Sequence, residues 1–182
     1  MADDAQPINL TNHFLIAMPG MVDGTFSRSV VYVCEHSQRG ALGLIINKPG
    51  DISLAEGLAP DQTVYASTLA VPGGLEMTTS KDVLEALSSG AGPRRVLVTL
   101  GYASWGEGQL ESEIARNSWL TVDADADLIF EAPIAQRYDL ALRRLGLEAW
   151  MLSPDIGHAL APARPRPRCR PIWAAFWPST SV

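Results

Sequence analysis

Cysteine is scarce: Cys34 and Cys169 are the only two among 182 residues. Two scattered cysteines give neither a disulfide framework nor a zinc quartet, and the cytoplasm is the expected compartment. Long hydrophobic runs are missing too. No apolar stretch approaches the roughly 20 residues that span a bilayer, so no membrane partner is expected. Met1–Pro7 is acidic and polar, without the basic and apolar regions of a secretory leader. Positive charge is thin. The net charge is −6, and four arginines in residues 160–182 contribute +4, which leaves −10 on residues 1–159. An acidic body repels a phosphate backbone unless it hides a basic face. Arg94-Arg95 and Arg143-Arg144 are the only adjacent basic pairs there, so residues 1–159 are not expected to bind DNA directly. His13, His36 and His158 lie far apart, with no HxxxH or CxxC spacing. No metal and no cofactor is called for.

What is present suits one globular domain with a sizeable core: 47% hydrophobic and 19% charged residues. Three short apolar runs, Phe14–Met18, Val30–Cys34 and Ala41–Ile46, are bounded by turn formers and read as strands. Ser53-Leu-Ala-Glu56 has the pattern of a capping box and predicts a short helix. Val64–Val71 reads as a strand. Thr79–Asp82 opens a helix carrying Val83, Leu84 and Leu87, which Gly90 stops. Arg95–Leu100 reads as a short buried strand. A helix with Leu110 and Ile114 follows Gly106 or Gly108, and Trp119–Val122 is a further strand. Pro133 suits a first helical turn, ahead of Ile134, Tyr138, Leu142 and Leu145 on one helix face. Residues 160–182 stand apart. Alternating Pro and Arg blocks helix and central strand, so this segment is expected to be a disordered tail, with a basic arm carrying Trp173, Phe176 and Trp177 as the alternative. The domain is read as 1–159.

Three places hold residues able to carry chemistry. On a strand, Cys34 and His36 point to one face, and a Cys–His pair can form a thiolate nucleophile. Their positions are roughly 7 Å apart at the backbone, and no oxyanion donor is identified. The ordinary reading is a buried core cysteine and a turn histidine. Asn47-Lys48-Pro49 ends a strand and reads as a structural turn, or as an anion site built from Lys48 and backbone N–H groups. Gly101–Gly108 lies between a predicted strand and helix. It reads as a tight connection with Tyr102 and Trp105 over the core, or as a phosphate cradle, although it matches no phosphate-loop pattern and has no lysine.

The ordered elements together resemble the AlgH/YqgE-like family of small bacterial proteins. They are Met18-Pro19, the pair within Ser29–Ile46, Asn47-Lys48-Pro49, the TTSKDVLEAL run, Leu100–Trp105, Gly108-Gln-Leu-Glu111 and Asn117-Ser-Trp-Leu120. The resemblance implies an α+β fold, with a bifurcated, barrel-like sheet flanked by helices. It also implies a family end near Gly157-His158. Relatives carry a Gly-Gly-Pro turn and a strand after the position of Val64, and this chain does not, so a segment on the order of 20 residues is expected to be missing. Such proteins are commonly described as transcriptional regulators. The function expected here is a non-catalytic regulatory binding module that works through a protein partner or small ligand. The alternative is an enzyme of unknown reaction using Cys34 and His36.

Overall fold

The computed structural model describes residues 8–21, 23–48, 66–71, 74–93, 95–152 and 168–178. Among these residues eight strands form one sheet: β1 (His13–Ala17), β2 (Val30–Ser37), β3 (Gly40–Ile45), β4 (Thr68–Val71), β5 (Leu75–Thr78), β6 (Leu97–Trp105), β7 (Trp119–Asp123) and β8 (Arg168–Pro178). Their order is β4-β5-β8-β6-β3-β2-β1-β7, and every neighbouring pair is antiparallel. Among the described residues four α-helices join them: α1 (Asp82–Ser88), α2 (Gln109–Ala115), α3 (Ala126–Phe130) and α4 (Arg137–Arg144). The fold is α+β. The sheet is open rather than barrel-like, with β4 and β7 as its two edges.

The centre of the sheet is buried on both faces, which explains the unbroken apolar runs. Phe14, Ile16, Val30, Tyr32 and Leu44 pack on one face beneath Ile129 of α3 and Tyr138 and Leu142 of α4. Leu15, Ala17, Val31 and Val33 pack on the other, with Leu110 of α2, Phe26, Trp105 and Trp119. A smaller cluster sets Val83 and Leu87 of α1 against Val96 and Val98. The turn between β2 and β3 depends on Gly40. Its φ is +128°, and a Cβ there would lie 2.1 Å from the Trp105 carbonyl oxygen, so only glycine fits.

The described elements differ from the sequence reading in further places. The connection Gly101–Gly108 is mostly strand, because β6 runs on to Trp105 and leaves only Gly106–Gly108 as a turn. Helix α3 was not foreseen. It is five residues long and begins at Asp125, whose side chain accepts the Asp127 N–H. Most consequential, part of the segment read as a disordered tail is a strand in the interior of the sheet, between β5 and β6. The prolines fall where a strand tolerates them. Pro178 is its last residue. Pro171 lies where the register with β6 shifts, between the pairs Leu100↔Trp173 and Tyr102↔Arg170, a bulge that needs no ladder N–H. The run Ile172–Trp177 is apolar and aromatic-rich, a strand signal that the Arg–Pro alternation before it obscured. The predicted helix at Ser53–Glu56, and the start of the strand at Val64, lie outside the described residues.

Candidate functional site

The sequence candidates are not gathered at one place. Register partners His36, Ala41 and Trp105 form a row across β2, β3 and β6. Asn47 and Lys48 lie past the opposite end of β3, roughly 20 Å along the strand. A depression of about 220 Å³ beside the β2–β3 turn is lined by Glu35, Arg39, Gly40, Leu42 and Trp105 among others. It touches Trp105 but neither His36 nor Asn47.

Cys34 and His36 do not share a face. The register of β2 against β3 steps from Val33↔Gly43 to Glu35↔Leu42. Cys34 is therefore the extra residue of a β-bulge, which reverses the alternation beyond it. Cys34 packs with Tyr32 and Leu44 under α3 and α4. His36 pairs with Ala41, which belongs to the cluster on the other face. Burial, and secondarily the Glu35 carboxylate, pushes the Cys34 thiol well above its ordinary range, which disfavours the thiolate. Both ring nitrogens of His36 are committed. The Leu10 N–H donates to Nδ1 at 3.0 Å, which fixes the tautomer, so Nε2–H donates to the Glu111 carboxylate at 2.9 Å. The imidazole ties the N-terminal segment to β2 and α2.

Trp105 is also held in place by hydrogen bonding and ring contact. Its indole N–H and that of Trp119 both donate to Oε2 of Glu113, at 3.0 and 2.8 Å. The two rings meet edge to face at 6.0 Å. Gln109 donates to the other Glu113 oxygen. One carboxylate thus locks α2 onto β6 and β7. Glu113 was missed because a carboxylate between Ser112 and Ile114 looks like an ordinary exposed helix residue. Tyr102 is half-buried beside the core on the Cys34 face.

The end of β3 is different. Asn47 accepts the Val30 N–H and donates to the Arg28 carbonyl, both at 2.7 Å, so it closes the entry to β2. Lys48 donates to the Gly24 carbonyl at 2.9 Å. Arg137 of α4, only 5% exposed, donates to the Ile46 and Ala132 carbonyls. Burial lowers its guanidinium pKa. Arg28 lies 4.4 Å above the Tyr138 ring and pairs with Asp139 at 3.3 Å. Of these cations, Arg137 holds the Ile46 carbonyl and Lys48 the Gly24 carbonyl, whereas Arg28 meets Asn47 through its backbone and turns its guanidinium to Tyr138 and Asp139. Asp139 is the one carboxylate that pairs with any of them among the described residues. Sequence reading found Asn47 and Lys48 but not Arg28 or Arg137. Arg137 falls beside the apolar stripe of its helix, where nothing in the sequence marks it as buried. Among the described residues no group of three His, Cys, Asp or Glu side chains could hold a metal. None of the helices there is long and apolar enough to cross a membrane.

Fold and site define a small α+β protein with no assembled Cys–His nucleophile and a cationic strand end. The chain belongs to the AlgH-like family, whose model matches residues 14–66 and 56–150. A UPF0301 protein of Variovorax paradoxus is 57% identical over 199 residues, covering 87% of this chain and 100% of the relative. One of Acidovorax sp. (strain JS42) is 58% identical over 200 residues, with the same coverage. The solution structure of AlgH from Pseudomonas aeruginosa matches with a TM-score of 0.66 and 38% identity, over 86% of this chain and all of that one. A crystal structure from Corynebacterium diphtheriae, 20% identical with a TM-score of 0.53, covers 76% of this chain and 88% of its own and shows likeness of fold alone. The 199-residue alignment uses only 87% of this chain, so about forty of its positions have no residue here. The family model matches in two stretches, which overlap at 56–66.

Proposed function

We propose that the protein is a non-catalytic regulatory binding module, and that the end of β3 is where it meets an anionic group of a protein partner or small ligand. The observation that carries this reading is Lys48, held at the strand end by the Gly24 carbonyl beside the Asn47 clamp, with Arg28 next along the clamped loop. Lys48 uses one of its three donors on Gly24, which leaves two for an incoming carboxylate or phosphate. Asn47 pre-sets the loop, so little ordering entropy is lost on binding. A catalytic reading draws no support from Cys34 and His36, which lie on opposite faces. Regulation by direct DNA contact draws none from the charge of −10 on residues 1–159.

The test is an amide NMR titration of the full chain with inorganic phosphate. Saturable shifts at millimolar phosphate are expected for residues 24–30 and 46–48. They should be lost in the Arg28→Ala, Lys48→Ala double variant. Shifts spread over the surface, or none at these residues, would remove the basis for an anion site. A gel-shift series with duplex DNA checks the regulatory route, and no complex is expected at micromolar protein near physiological salt.

A further inference from the structure

We infer that the space between β5 and β6 is a strand-binding site for an extended peptide, and that its occupant is the protein's own Arg168–Pro178. The geometry starts from direction. β5 runs antiparallel to β8, and β8 runs antiparallel to β6, so β5 and β6 are parallel to each other. They are joined through α1, with β5 ending at Thr78 and β6 starting at Leu97. Parallel strands linked by a helix form a β–α–β unit. Here the unit is split, because its two strands stand one strand position apart instead of pairing. Strand spacing is about 4.8 Å, so the split leaves a slot roughly twice that width, with a ladder edge on each side. Val83 and Leu87 of α1 pack on Val96 and Val98, which seats the crossover helix against the β6 side of the slot.

β8 satisfies both edges. It pairs Ala175–Pro178 with the whole of β5 and reaches from Arg168 to Phe176 along β6. Without it the β4–β5 hairpin has no strand neighbour linking it to the rest of the sheet, and two unpaired edges face each other. The relatives explain why the occupant comes from so far along the chain. About forty positions of a relative have no residue here, while about 13% of this chain has no counterpart in that relative, and the family model matches in two stretches that overlap at 56–66. The family model ends at residue 150, ahead of β8. A segment beyond the reach of the family model thus occupies an interior strand position. Main-chain bonds on two edges give affinity with little sequence demand, so the slot accepts a segment beyond the reach of the family model. The bulge beside Pro171 shows the same tolerance.

Cross-linking tests the occupancy. Ala103 is the register partner of Cys169 and Ser104 that of Arg168. In the full chain, Ala103→Cys should form an intramolecular disulfide with Cys169 under mild oxidation, seen as a linked 103–169 peptide by mass spectrometry. Ser104→Cys should not form one. No link in the first variant, or equal links in both, would overturn the assigned register and the site with it. The second measurement needs no substitution. Backbone amides of residues 172–177 in the unmodified protein should exchange at least a hundredfold more slowly than in the free peptide 168–178. Exchange at the free-peptide rate would show the slot vacant.

Discussion

Phe14–Ala17 and Val30–Val33 are each 0% exposed, on both faces of the sheet, whereas β4 leaves Leu69 37% exposed with Ala70 open beside it. The first region is knit from contiguous material. β1, β2 and β3 follow one another in sequence and lie side by side, and helices cover both faces. The second is β4, β5 and β8, where a short hairpin is held by a strand some 90 residues away in sequence. The difference teaches where stability resides. Local pairing with two covered faces makes a self-sufficient unit. A hairpin with a half-exposed edge relies on a distant partner, and closing that long loop costs entropy.

The sharpest way to break this comparison is a matched pair of core truncations. Phe14→Ala removes a fully buried ring that meets Tyr32 edge to face at 6.1 Å. It should cost about 3–5 kcal/mol and shift the whole unfolding transition. Leu75→Ala in β5 removes a side chain that is 3% exposed, but the hairpin around it can relax into the space. Its cost should sit near the lower end for such changes, about 2 kcal/mol. Urea unfolding curves decide, and equal costs would mean that the two regions are equally rigid.

Asn47 tests what holds the self-sufficient region at its end. Asn47→Ala strands the Val30 N–H and the Arg28 carbonyl, and should cost about 1–3 kcal/mol. Asn47→Asp keeps an acceptor for Val30 but loses the donor to Arg28, so it should fall between wild type and alanine. An alanine variant with an unchanged urea midpoint would show that water replaces both bonds and that the loop needs no clamp.

Cys34 reports on the same core through pH. Its folded pKa is raised, so the protonated thiol is the form the fold favours. The associated stability is fully present below the unfolded value near 9.0 and is lost as pH rises above it. Tyr32, also raised by burial, adds loss in the same direction. Native Cys34 should label with a thiol reagent far more slowly at neutral pH than unfolded protein does. Cys34→Ala should flatten the fall in melting midpoint between about pH 8.5 and pH 10.5. Fast native labelling would revive the nucleophile reading.

Legibility in the sequence follows the same division. β1, β2 and β3 announced themselves because burial on both faces leaves continuous apolar runs between turn formers, and the edge strand β7 by Trp119–Val122. Helix α4 was readable from Tyr138 and Leu142 at one period. The bulge at Cys34 was not readable, since nothing in Val-Cys-Glu-His marks an extra residue, and that single shift separated the supposed dyad. β8 was hidden by its context: prolines argue against an interior strand unless a bulge receives them. At the candidate site, Asn47 and Lys48 stood out by their place at a strand end. Arg28 and Arg137 did not, because only tertiary packing brings a loop arginine and a helix arginine to residues 46–48.

The smallest expected effect belongs to the second region. The Asp82 carboxylate is held below its ordinary range by hydrogen bonding, first from Ser80 and then from the Ala66 N–H, the latter at 2.9 Å. A second backbone bond comes from the Val83 N–H at 2.9 Å. These bonds tie the turn before β4 to the start of α1. A depressed folded pKa means that the stabilisation is whole above the unfolded value of 3.8 and is lost as pH falls through the lower folded value. The group is open to water, so screening keeps the contribution small and a global melt will barely register it. Amide shifts will. Ala66 and Val83 should titrate together below pH 3.8, ahead of any change in Leu15 or Val31, and Asp82→Asn should abolish the step. If Leu15 and Val31 move at the same pH, the acid step is a global loosening, and the two regions are one cooperative unit rather than a firm half and a dependent one.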